Sequence, residues 1–448
     1  MNPVVFVGHW SFDCVSFAIN TPISDIICCG YDNGEIAKQF LQTHIHSLEK
    51  EVGVRECWTS AHLDWSVNAL WKHIPSNSTP YVVAFSSSME LEKLLSEGKI
   101  KGLFVNSQRI KNFFDNKMLS KRLFRQLHLP QPTSQKILLT PQSIDNAINV
   151  LGVPCVVRKR FSFMGTGVFP INDKDNAYHQ LMSLGFSDNE MIIVEQFVDG
   201  MPLNINAVAF ADGNVHCYPP SVQLIGLKGY TTLPFGFCGS DYVRAQFLTL
   251  SVKEACQHQV QAIGNYMSRL GYRGIFGVDF LLTPDNRVLP CEINPRMQTS
   301  TSLLNWTYKA TSHCPALLHL ESFGYEAEAI PDIQQESYYS QVIAHVMKNE
   351  AGCTVTAQMD EGKYRFDAHS GHFKLTEKTL IPLNLQPNEI IIAGSPPPVG
   401  NVVKSGSPLF KIILKQSVTD NGFSLKDTAF HNALLHLKDK LTLKKLDQ

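Results

Sequence analysis

Short apolar runs, each bounded by glycine, proline or polar residues, mark the first quarter of the chain. They occupy residues 4–7, 25–29, 81–85 and 102–105, and residues 88–98 have a helical pattern between the last two. Apolar runs of this length are typical of strands that are buried on both faces of a mostly parallel sheet. The pattern predicts an α/β layer domain over residues 1–110.

Helical periodicity is clearest in the middle of the chain. Apolar residues recur at helical spacing over residues 112–127, and Pro130 and Pro132 follow. This pattern predicts one helix that ends before the prolines. A second helix is predicted over residues 256–270, because its apolar residues step by four and three and Gly271 supplies a C-terminal stop. We interpret both helices as scaffold.

The last part of the chain, from residue 326, has a different composition. It contains a Gly/Pro-rich stretch at residues 394–400, followed by a strand-like run at residues 409–414. A chain of 448 residues has room for two to four domains at roughly 100–200 residues each. We therefore predict an N-terminal domain over 1–110, a central domain over 111–325 and a small C-terminal domain over 326–448.

Charge and cysteine content exclude several classes of protein. The 39 basic residues balance the 40 acidic ones, so electrostatics give no reason to expect binding to nucleic acid or to a membrane surface. The 11 cysteines include no C-x-x-C pair, which argues against a zinc module or a disulfide framework. The start has no basic n-region, and no apolar run reaches the ~18 residues of a membrane span. We expect a soluble, cytoplasmic protein.

The segment after the first predicted strand tests for a dinucleotide fold. Residues 7–13 read Val-Gly-His-Trp-Ser-Phe-Asp, whereas a dinucleotide-binding fold carries G-x-G-x-x-G at this position. The sequence therefore disfavours a nicotinamide cofactor.

A cationic strand end followed by a glycine loop is the first candidate for chemistry. The strand over residues 154–160 ends in Arg158, Lys159 and Arg160, and the next loop contains Gly165 and Gly167. Glycines let backbone N–H groups approach phosphate oxygens while a cation neutralises their charge. The loop lacks the G-K-[ST] ending of a P-loop, and taken alone it is more commonly explained by a hairpin without a ligand.

A second candidate is the strand over residues 191–198. It is apolar, becomes polar at Glu195 and Gln196, continues through Phe197 and Val198, and then turns at Gly200. Such a strand end offers backbone donors and acceptors beside apolar side chains, which suits the edge and face of an adenine. Taken alone, the segment is only a strand.

The third candidate is a predicted hairpin with two acids. Residues 276–282 and 287–296 flank the turn Thr-Pro-Asp-Asn, which favours antiparallel pairing. If Leu282 faces Arg287, then Asp279 faces Pro290 and Glu292 is its diagonal neighbour. Alternation along the strand would then place Pro290, Glu292 and Asn294 on the same face as Asp279.

Two carboxylates and an amide oxygen on one face have two interpretations. Acidic side chains are most often solvated on an exposed face. These acids, however, interrupt two apolar strands, where unpaired carboxylates would repel each other and raise their pKa values. Mg²⁺ prefers one or two carboxylates together with phosphate oxygens and water, so the hairpin could hold the metal of a nucleotide triphosphate. Geometry alone leaves both interpretations open.

The order of these three segments resembles that of ATP-grasp enzymes, over roughly residues 111–310. The resemblance implies an α/β and α+β ATP-grasp fold, in which residues 111–325 form the ATP-grasp domain with a flap subdomain over about 135–200. Residues 1–110 would be the α/β pre-ATP-grasp domain. The late Pro-Pro-Pro-Val-Gly run at 396–400 also resembles the tail of stand-alone carboxylate–amine ligases related to biotin carboxylase.

The resemblance also implies roles for individual residues. Mg²⁺, with Mn²⁺ as an alternative, would be held by Asp279, Glu292 and Asn294. ATP would be held by Lys117, Arg158, Lys159, Ser162, Gly165, Thr166, Gly167, Glu195, Gln196, Phe197, Val198 and Asn204. In this set Arg158 stands where the family has a lysine, and Asn204 or Asn206 would replace a missing ribose-binding acid. Arg296 would stabilise the transferring phosphate or the carboxylate, and Lys228 would assist unless it is an ordinary surface lysine.

The implied activity is ATP-dependent ligation of a small carboxylate to an amine. The acid would be phosphorylated to an acyl phosphate, and the amine would then displace phosphate to form an amide or peptide bond. A carboxylase that uses bicarbonate and a non-catalytic ATP-binding regulator remain as alternatives. A kinase is less favoured because no His-Arg-Asp context is present. A homodimer is left open.

Overall fold

A computed structural model of the chain describes residues 3–21, 23–30, 43–56, 59–75, 79–162, 165–326, 337–347 and 352–445. Phe163 and Met164, in the loop predicted to close over the phosphates, lie outside the described residues. Among the described helices, none combines the length and the apolar character that crossing a membrane requires.

The N-terminal part forms a parallel sheet with the strand order β3-β2-β1-β5-β6, as its apolar runs predict. Its strands are β1 (Val4–Gly8), β2 (Ile23–Cys28), β3 (His44–Ser47), β4 (Val54–Arg55), β5 (Tyr81–Ala84) and β6 (Gly102–Phe104). Its helices are α1 (Ser11–Ala18), α2 (Leu48–Val52), α3 (Ser60–Leu70) and α4 (Met89–Ser96). Val4 and Phe6 pack into one core and Val5 and Val7 into another, so both faces of β1 are buried.

The single helix predicted over residues 112–127 is wrong. Two helices occupy this region, α5 (Gln108–Asp115) and α6 (Lys117–Gln126). Asn116 between them has an extended backbone, and its side-chain oxygen accepts a hydrogen bond from the Met118 N–H at 3.1 Å. An asparagine that caps a helix in this way ends the preceding one. Lys117 therefore becomes the first residue of α6.

A small antiparallel sheet follows, with the strand order β7-β10-β8-β9. Its elements are β7 (Ser134–Leu138), α7 (Pro141–Leu151), β8 (Cys155–Lys159), β9 (Val168–Ile171), α8 (Ala177–Ser183) and β10 (Met191–Gln196). The two helices and the sheet share one apolar core, which supports this region as a subdomain of its own.

The rest of the chain is dominated by a long antiparallel sheet with the order β16-β15-β11-β13-β14-β17-β23-β21-β19-β20, in which β12 also pairs with β11. Its strands are β11 (Met201–Ala209), β12 (Val215–Cys217), β13 (Ser221–Ile225), β14 (Phe237–Asp241), β15 (Gly274–Leu282), β16 (Val288–Asn294), β17 (Ser340–His345), β19 (Gly362–Asp367), β20 (His372–Glu377), β21 (Glu389–Ala393) and β23 (Pro408–Leu414). Because β14 pairs with β17, the sheet runs across the predicted boundary at residue 326. That boundary stays a prediction.

The helices of this region are α9 (Tyr242–Ala245), α10 (Leu250–Arg269), α11 (Thr301–Thr307), α12 (Pro315–Ser322) and α13 (Ala429–Leu435). The helix predicted over residues 256–270 is confirmed as the second half of α10, and Gly271 after it has a φ of +91°. A further sheet, β24-β18-β22-β4, contains β18 (Cys353–Val355), β22 (Val402–Val403) and β24 (Leu443–Lys445). It joins the C-terminal part to the N-terminal part through β4.

The hairpin of β15 and β16 exists, but its turn differs from the prediction. Leu282 pairs with Val288 rather than with Arg287. The Thr283 N–H donates to the Arg287 carbonyl at 2.9 Å, so the loop contains three residues, and its last residue, Asn286, has a left-handed φ of +61°. A three-residue loop that ends in a left-handed residue is a common hairpin connection. The predicted pairing is therefore wrong by one residue.

A bulge then brings the two acids closer than predicted. Phe280 pairs with Pro290, the register shifts before Asp279, and Asp279 pairs directly with Glu292. Pro290 therefore does not share the face of Asp279, because directly opposed residues lie on the same face and Phe280 is on the other one. Glu292 and Asn294 do share the face of Asp279, as predicted.

Candidate active site

A cavity of about 880 Å³ lies where the N-terminal parallel sheet, the small antiparallel sheet and the long antiparallel sheet meet. Its lining comes from the ends of parallel strands β1 and β5, from strands β8 and β10 of the small sheet, and from strands β11, β15, β16 and β23 of the long sheet. Most of the residues singled out in the sequence line it, namely Arg158, Lys159, Ser162, Gly165, Thr166, Gly167, Glu195, Gln196, Phe197, Val198, Asn204, Asp279, Glu292, Asn294 and Arg296.

Asp279 is the centre of a hydrogen-bond network on the floor of the cavity. Its Oδ1 accepts from Asn204 Nδ2 at 2.7 Å and from Gln223 Nε2 at 3.0 Å, and its Oδ2 accepts from Asn294 Nδ2 at 3.0 Å. Burial and the neighbouring Glu292 carboxylate nevertheless raise the pKa of Asp279 to about 6. The amide donors only partly offset the cost of a buried charge that faces a like charge.

This unresolved repulsion fits a divalent cation. Two carboxylates and an asparagine are an oxygen-rich donor set, and Mg²⁺ is commonly held by such a set together with phosphate oxygens and water. Across the described residues, no group of three or more His, Cys, Asp or Glu side chains could hold a metal by itself. Asp279, Glu292 and Asn294 therefore suit a metal that arrives with a phosphate ligand, and their role as metal ligands stays a prediction.

Lys117 lies beneath the acids, although it does not line the cavity. Its Nζ donates to Glu292 Oε1 at 2.8 Å and to the Ser162 carbonyl at 3.1 Å, and its side chain is 1% exposed. The helix start at Asn116 fixes this position, because it turns Lys117 inward at the first residue of α6. Lys117 thus joins the acid pair to the glycine loop.

Arg158 and Lys159 point to opposite sides of β8, as expected for neighbours in a strand. Arg158 Nε lies 3.4 Å from Glu195 Oε2, and its Nη1 lies 3.9 Å from Glu292 Oε2. Burial alone would lower the pKa of Arg158, but the surrounding acidic groups, Glu195 first among them, together overcome this effect and raise it. Lys159 instead donates to the Gly185 carbonyl at 2.7 Å and lies over the Phe186 ring. Arg158 is therefore the cation of this strand that faces the two acids.

Lys121 is a buried cation of the site that the sequence analysis missed. Its Nζ donates to Glu195 Oε1 at 2.9 Å, and both side chains are at most 4% exposed. The residue lies one helical turn after Lys117, so both lysines share a face of α6. That spacing was visible in the sequence, but the partner, 74 residues away, was not.

The segment predicted to contact adenine presents one buried acid followed by accessible side chains. Glu195 is 2% exposed, and its Oε2 has no hydrogen-bond partner among the described residues. Gln196 and Phe197 are exposed, and Val198 is half-buried at the rim. Because this oxygen faces the Arg158 guanidinium at 3.4 Å, the carboxylate is already paired with a cation, and the adenine-contacting role of the segment stays a prediction.

The two glycines of the loop after β8 have a steric reason. A Cβ at Gly165 would lie 2.0 Å from the Phe235 carbonyl oxygen, and its φ is +81°. A Cβ at Gly167 would lie 2.4 Å from the Ser162 Cβ. The described part of the loop, Ser162 and residues 165–167, therefore folds tightly and touches the loop before β14, above the cavity.

Asn204 and Asn206, the two candidates for a ribose contact, hydrogen-bond next to the acids. Asn204 donates to Asp279, and Asn206 donates to Asn204 Oδ1 at 3.0 Å and to Ser300 Oγ at 3.0 Å. Both side chains belong to the network under the acids rather than to the adenine segment, because alternation along β11 turns them toward β15. A ribose contact by either residue stays a prediction.

The two residues predicted to be catalytic lie in different parts of the structure. Arg296 lines the cavity and donates through Nη2 to Asn294 Oδ1 at 3.1 Å, next to the acids. Lys228 is exposed and does not line the cavity. Its neighbour Gly229 accepts a hydrogen bond from Lys438 at 2.6 Å, so this turn packs toward the C-terminal segment. The structure favours the interpretation of Lys228 as a surface lysine.

The sequence analysis also missed the contribution of the N-terminal sheet. His9 follows β1, Phe85 follows β5, and both line the cavity. In open α/β sheets, ligands bind at the carboxyl ends of parallel strands, so the strand ends themselves were the available indication. Residues 7–13 are not a dinucleotide motif, yet they still end a parallel strand at the edge where a ligand binds.

Comparisons with known proteins agree with this geometry. A family model described as the ATP-grasp domain matches residues 122–311. The formate-dependent phosphoribosylglycinamide formyltransferase of Geobacter metallireducens is 28% identical over 162 residues, which cover 35% of this chain and 37% of that relative. The enzyme of the same name from Bacillus velezensis is 27% identical over 233 residues, which cover 50% of this chain and 55% of the relative. The chain thus spans between about a third and about half of these relatives.

Solved structures extend the likeness to nearly the whole chain. A biotin carboxylase–ATP complex from Campylobacter jejuni has a TM-score of 0.62 and 11% identity, and covers 99% of this chain and 92% of its own. Carboxyaminoimidazole ribonucleotide synthase from Aspergillus clavatus, complexed with ATP, has a TM-score of 0.56 and 16% identity, and covers 98% of this chain and 97% of its own. Identities this low indicate the fold alone. The chain therefore has the ATP-grasp fold, and its residues 122–311 form an ATP-grasp domain.

Proposed function

We propose that this protein is an ATP-dependent carboxylate–amine ligase that forms an amide or peptide bond and releases ADP and phosphate. The observation that carries the proposal is a cavity in which two opposed acids, Asp279 and Glu292, face Arg158. Two buried lysines behind its lining, Lys117 and Lys121, pair with Glu292 and Glu195. A triphosphate needs this combination, because charge must be neutralised and the phosphoryl group must be aligned.

In the first step, an oxygen of the substrate carboxylate attacks the γ-phosphorus, the bond to the β,γ-bridging oxygen breaks, and ADP leaves. Lys117 and Arg158 would neutralise phosphate charge, and Arg296 would hold the carboxylate in line. Mg²⁺ held by Asp279, Glu292 and Asn294 would add charge neutralisation at the phosphate oxygens. The loop of Gly165 and Gly167 would keep water away from the acyl phosphate.

In the second step, the amine nitrogen attacks the acyl carbon, phosphate leaves, and the nitrogen loses one proton. Neither step needs a protein nucleophile, so the chain requires positioned charges rather than a catalytic triad. The curated relatives support an ATP-driven ligation, as do the synthase and the biotin carboxylase of similar fold. That this chain joins a carboxylic acid to an amine is part of the proposal.

Trapping with hydroxylamine tests the proposal. With a correct acid, hydroxylamine should intercept the acyl phosphate as a hydroxamate, and ADP and phosphate should be released in equal amounts. Stoichiometric AMP would contradict it, because attack would then occur at the α-phosphate. ADP release that depends on bicarbonate, with no other acid, would favour the carboxylase. Tight binding of MgATP without turnover over a broad acid panel would favour a regulator.

A further inference from the structure

Beyond Arg296, the cavity continues along aromatic side chains of the N-terminal sheet. His9 and Phe85 both line it, and their rings lie 5.2 Å apart at 71°, edge to face. Trp10, next to His9, also lines the cavity and carries the Arg55 guanidinium over its ring at 5.2 Å. His9, Trp10 and Phe85 are the aromatic part of the lining that the N-terminal sheet supplies, and they are called the aromatic wall below.

Arg296 is held at the edge of this wall. Its guanidinium carbon lies 6.0 Å from the centre of the Phe85 ring, and its Nη1 donates to the Met297 carbonyl at 3.1 Å. The Met297 N–H in turn donates to the Phe85 carbonyl at 3.1 Å, which ties the segment after β16 to the end of β5. Arg296 and the aromatic wall are therefore fixed relative to each other.

Arg296 is also the cation with a free charge at this end. Among the described residues, no carboxylate lies within ion-pair distance of it, whereas Lys411 pairs with Asp13 at 2.7 Å and Lys111 pairs with Asp115 at 2.8 Å. The Lys411–Asp13 pair is also nearly fully buried. Among the described residues, this end offers one guanidinium without an ion-pair partner, although Arg296 also attracts Asp279 electrostatically. One guanidinium matches one carboxylate, whereas a phosphate monoester on the same substrate would add a charge of about −1.5 to −2 with no second unpaired cation to balance it.

The remaining polar groups here are neutral. His9 Nε2 lies 3.2 Å from the Thr59 carbonyl, so the ring donates there and keeps Nδ1 as an acceptor. Burial lowers the pKa of His9 to about 4, so the ring is uncharged at neutral pH. Ser86 Oγ and Gln298 Oε1 are buried, line the same end, and have no hydrogen-bond partner among the described residues.

We propose that the acid substrate is a monocarboxylic acid with an apolar, preferably aromatic, body and no phosphate group, with its carboxylate on Arg296 and its body on Phe85 and His9. This inference rests on the proposed function, because it assigns the acid of that reaction. The proposed acid differs from formate, the acid in the names of the curated relatives, which has no apolar body.

Binding and turnover are measured separately. Calorimetry with the full chain, Mg²⁺ and a non-hydrolysable ATP analogue compares 3-phenylpropionate and phenylalanine with succinate and 3-phosphoglycerate. ADP release with hydroxylamine as the amine is then measured for the same four acids. The two aromatic acids should bind at least about tenfold more tightly than the other two, since an apolar wall discriminates by this factor for each well-packed group.

Phe85→Ala tests the wall, and Phe104→Ala is its matched control. Both phenylalanines are buried, with 5% and 7% exposure, in the same apolar core at the ends of adjacent strands, but Phe104 does not line the cavity. Phe85→Ala should raise the dissociation constant of the aromatic acids at least about tenfold and leave that of the ATP analogue unchanged. Phe104→Ala should change neither constant, whatever it does to stability.

Preference for 3-phosphoglycerate or succinate would overturn the inference and leave the proposed function intact. The inference would also be overturned if Phe104→Ala weakened acid binding as much as Phe85→Ala. Phe85-dependent binding of the aromatic acids without any ADP release would uphold the site and contradict the proposed function. Binding of none of the acids to a protein that holds the ATP analogue would overturn the inference.

Discussion

Replacing Asp279 by asparagine should remove turnover and yet stabilise the metal-free protein. The side chain is buried, faces Glu292 directly, and has its pKa raised from an ordinary 3.8 to about 6. A folded-state pKa above the unfolded one means that the folded protein holds the proton more tightly, so ionising Asp279 costs stability as pH rises from about 4 to about 6. Two pH units correspond to about 3 kcal/mol at 1.36 kcal/mol per unit.

Urea unfolding in EDTA at pH 4.5 and pH 8 measures this effect. The free energy of unfolding of Asp279→Asn should exceed that of the wild type by about 1–3 kcal/mol at pH 8, and the gain should fall to about a third of that value at pH 4.5, which still lies above the unfolded pKa. Asp145→Asn, at an exposed position on α7, is the matched control and should change stability at neither pH. In excess Mg²⁺ the wild type should recover most of the difference, because the metal binds only the folded ionised site.

Glu292→Gln tests whether the gain in stability is specific to Asp279 or follows from neutralising either acid of the pair. Its carboxylate accepts a hydrogen bond from the nearly buried Lys117 at 2.8 Å, so the substitution weakens a favourable pair as well as removing the repulsion. It should therefore abolish turnover without the gain in stability seen for Asp279→Asn. The reasoning is refuted if Asp279→Asn is no more stable than the wild type at pH 8 in EDTA.

Three further predictions concern the nucleotide end. Arg158→Ala should raise the KM for ATP at least tenfold, a loss of about 1.4 kcal/mol, while Lys159→Ala should leave it near the wild-type value. Steady-state kinetics on both variants measures this, and the opposite ranking would contradict it. Lys121→Met should lower the free energy of unfolding in a urea titration by about 3 kcal/mol, because it leaves Glu195 buried with one partner fewer. Lys136→Met, at an exposed position, is the control and should have little effect. Amide hydrogen exchange at residues 165–168 should slow when a non-hydrolysable ATP analogue binds with Mg²⁺, and unchanged exchange would favour an ordinary hairpin.

The chemistry of the site could be predicted because it depends on local rules. Alternation along β16 puts Glu292 and Asn294 on one face, and a proline-containing turn folds that strand back toward Asp279. The same alternation separates Arg158 from Lys159. These inferences need neither the exact register nor the tertiary contacts, so the one-residue error in pairing did not disturb them.

The features that could not be predicted depend on the backbone conformation of single residues or on contacts between residues far apart in the sequence. The left-handed Asn286 and the bulge beside Asp279 decide whether the acids are diagonal or directly opposed, and no periodicity encodes either. Asn116 could have been recognised as a cap, but its apolar neighbours on both sides carry a helical pattern through it. Lys121 pairs with Glu195, which lies 74 positions away, and Phe85 contacts Arg296, which lies more than 200 positions away.

The charges of the nucleotide end are arranged so that metal and nucleotide should bind together. Lys117 and Arg158 face Glu292 at 2.8 and 3.9 Å, so neither is free for a phosphate while Glu292 has no other partner. A divalent cation held by Glu292 and Asp279 would supply that partner, so that Lys117 and Arg158 could pair with phosphate oxygens instead. Calorimetry should therefore show that ATP binds at least tenfold more weakly in EDTA than with Mg²⁺. In Glu292→Gln the affinity for ATP should depend less on Mg²⁺, because the pairs of residue 292 with Lys117 and Arg158 are already weakened. Equal affinity with and without Mg²⁺ in the wild type would show that the acids and the cations act independently.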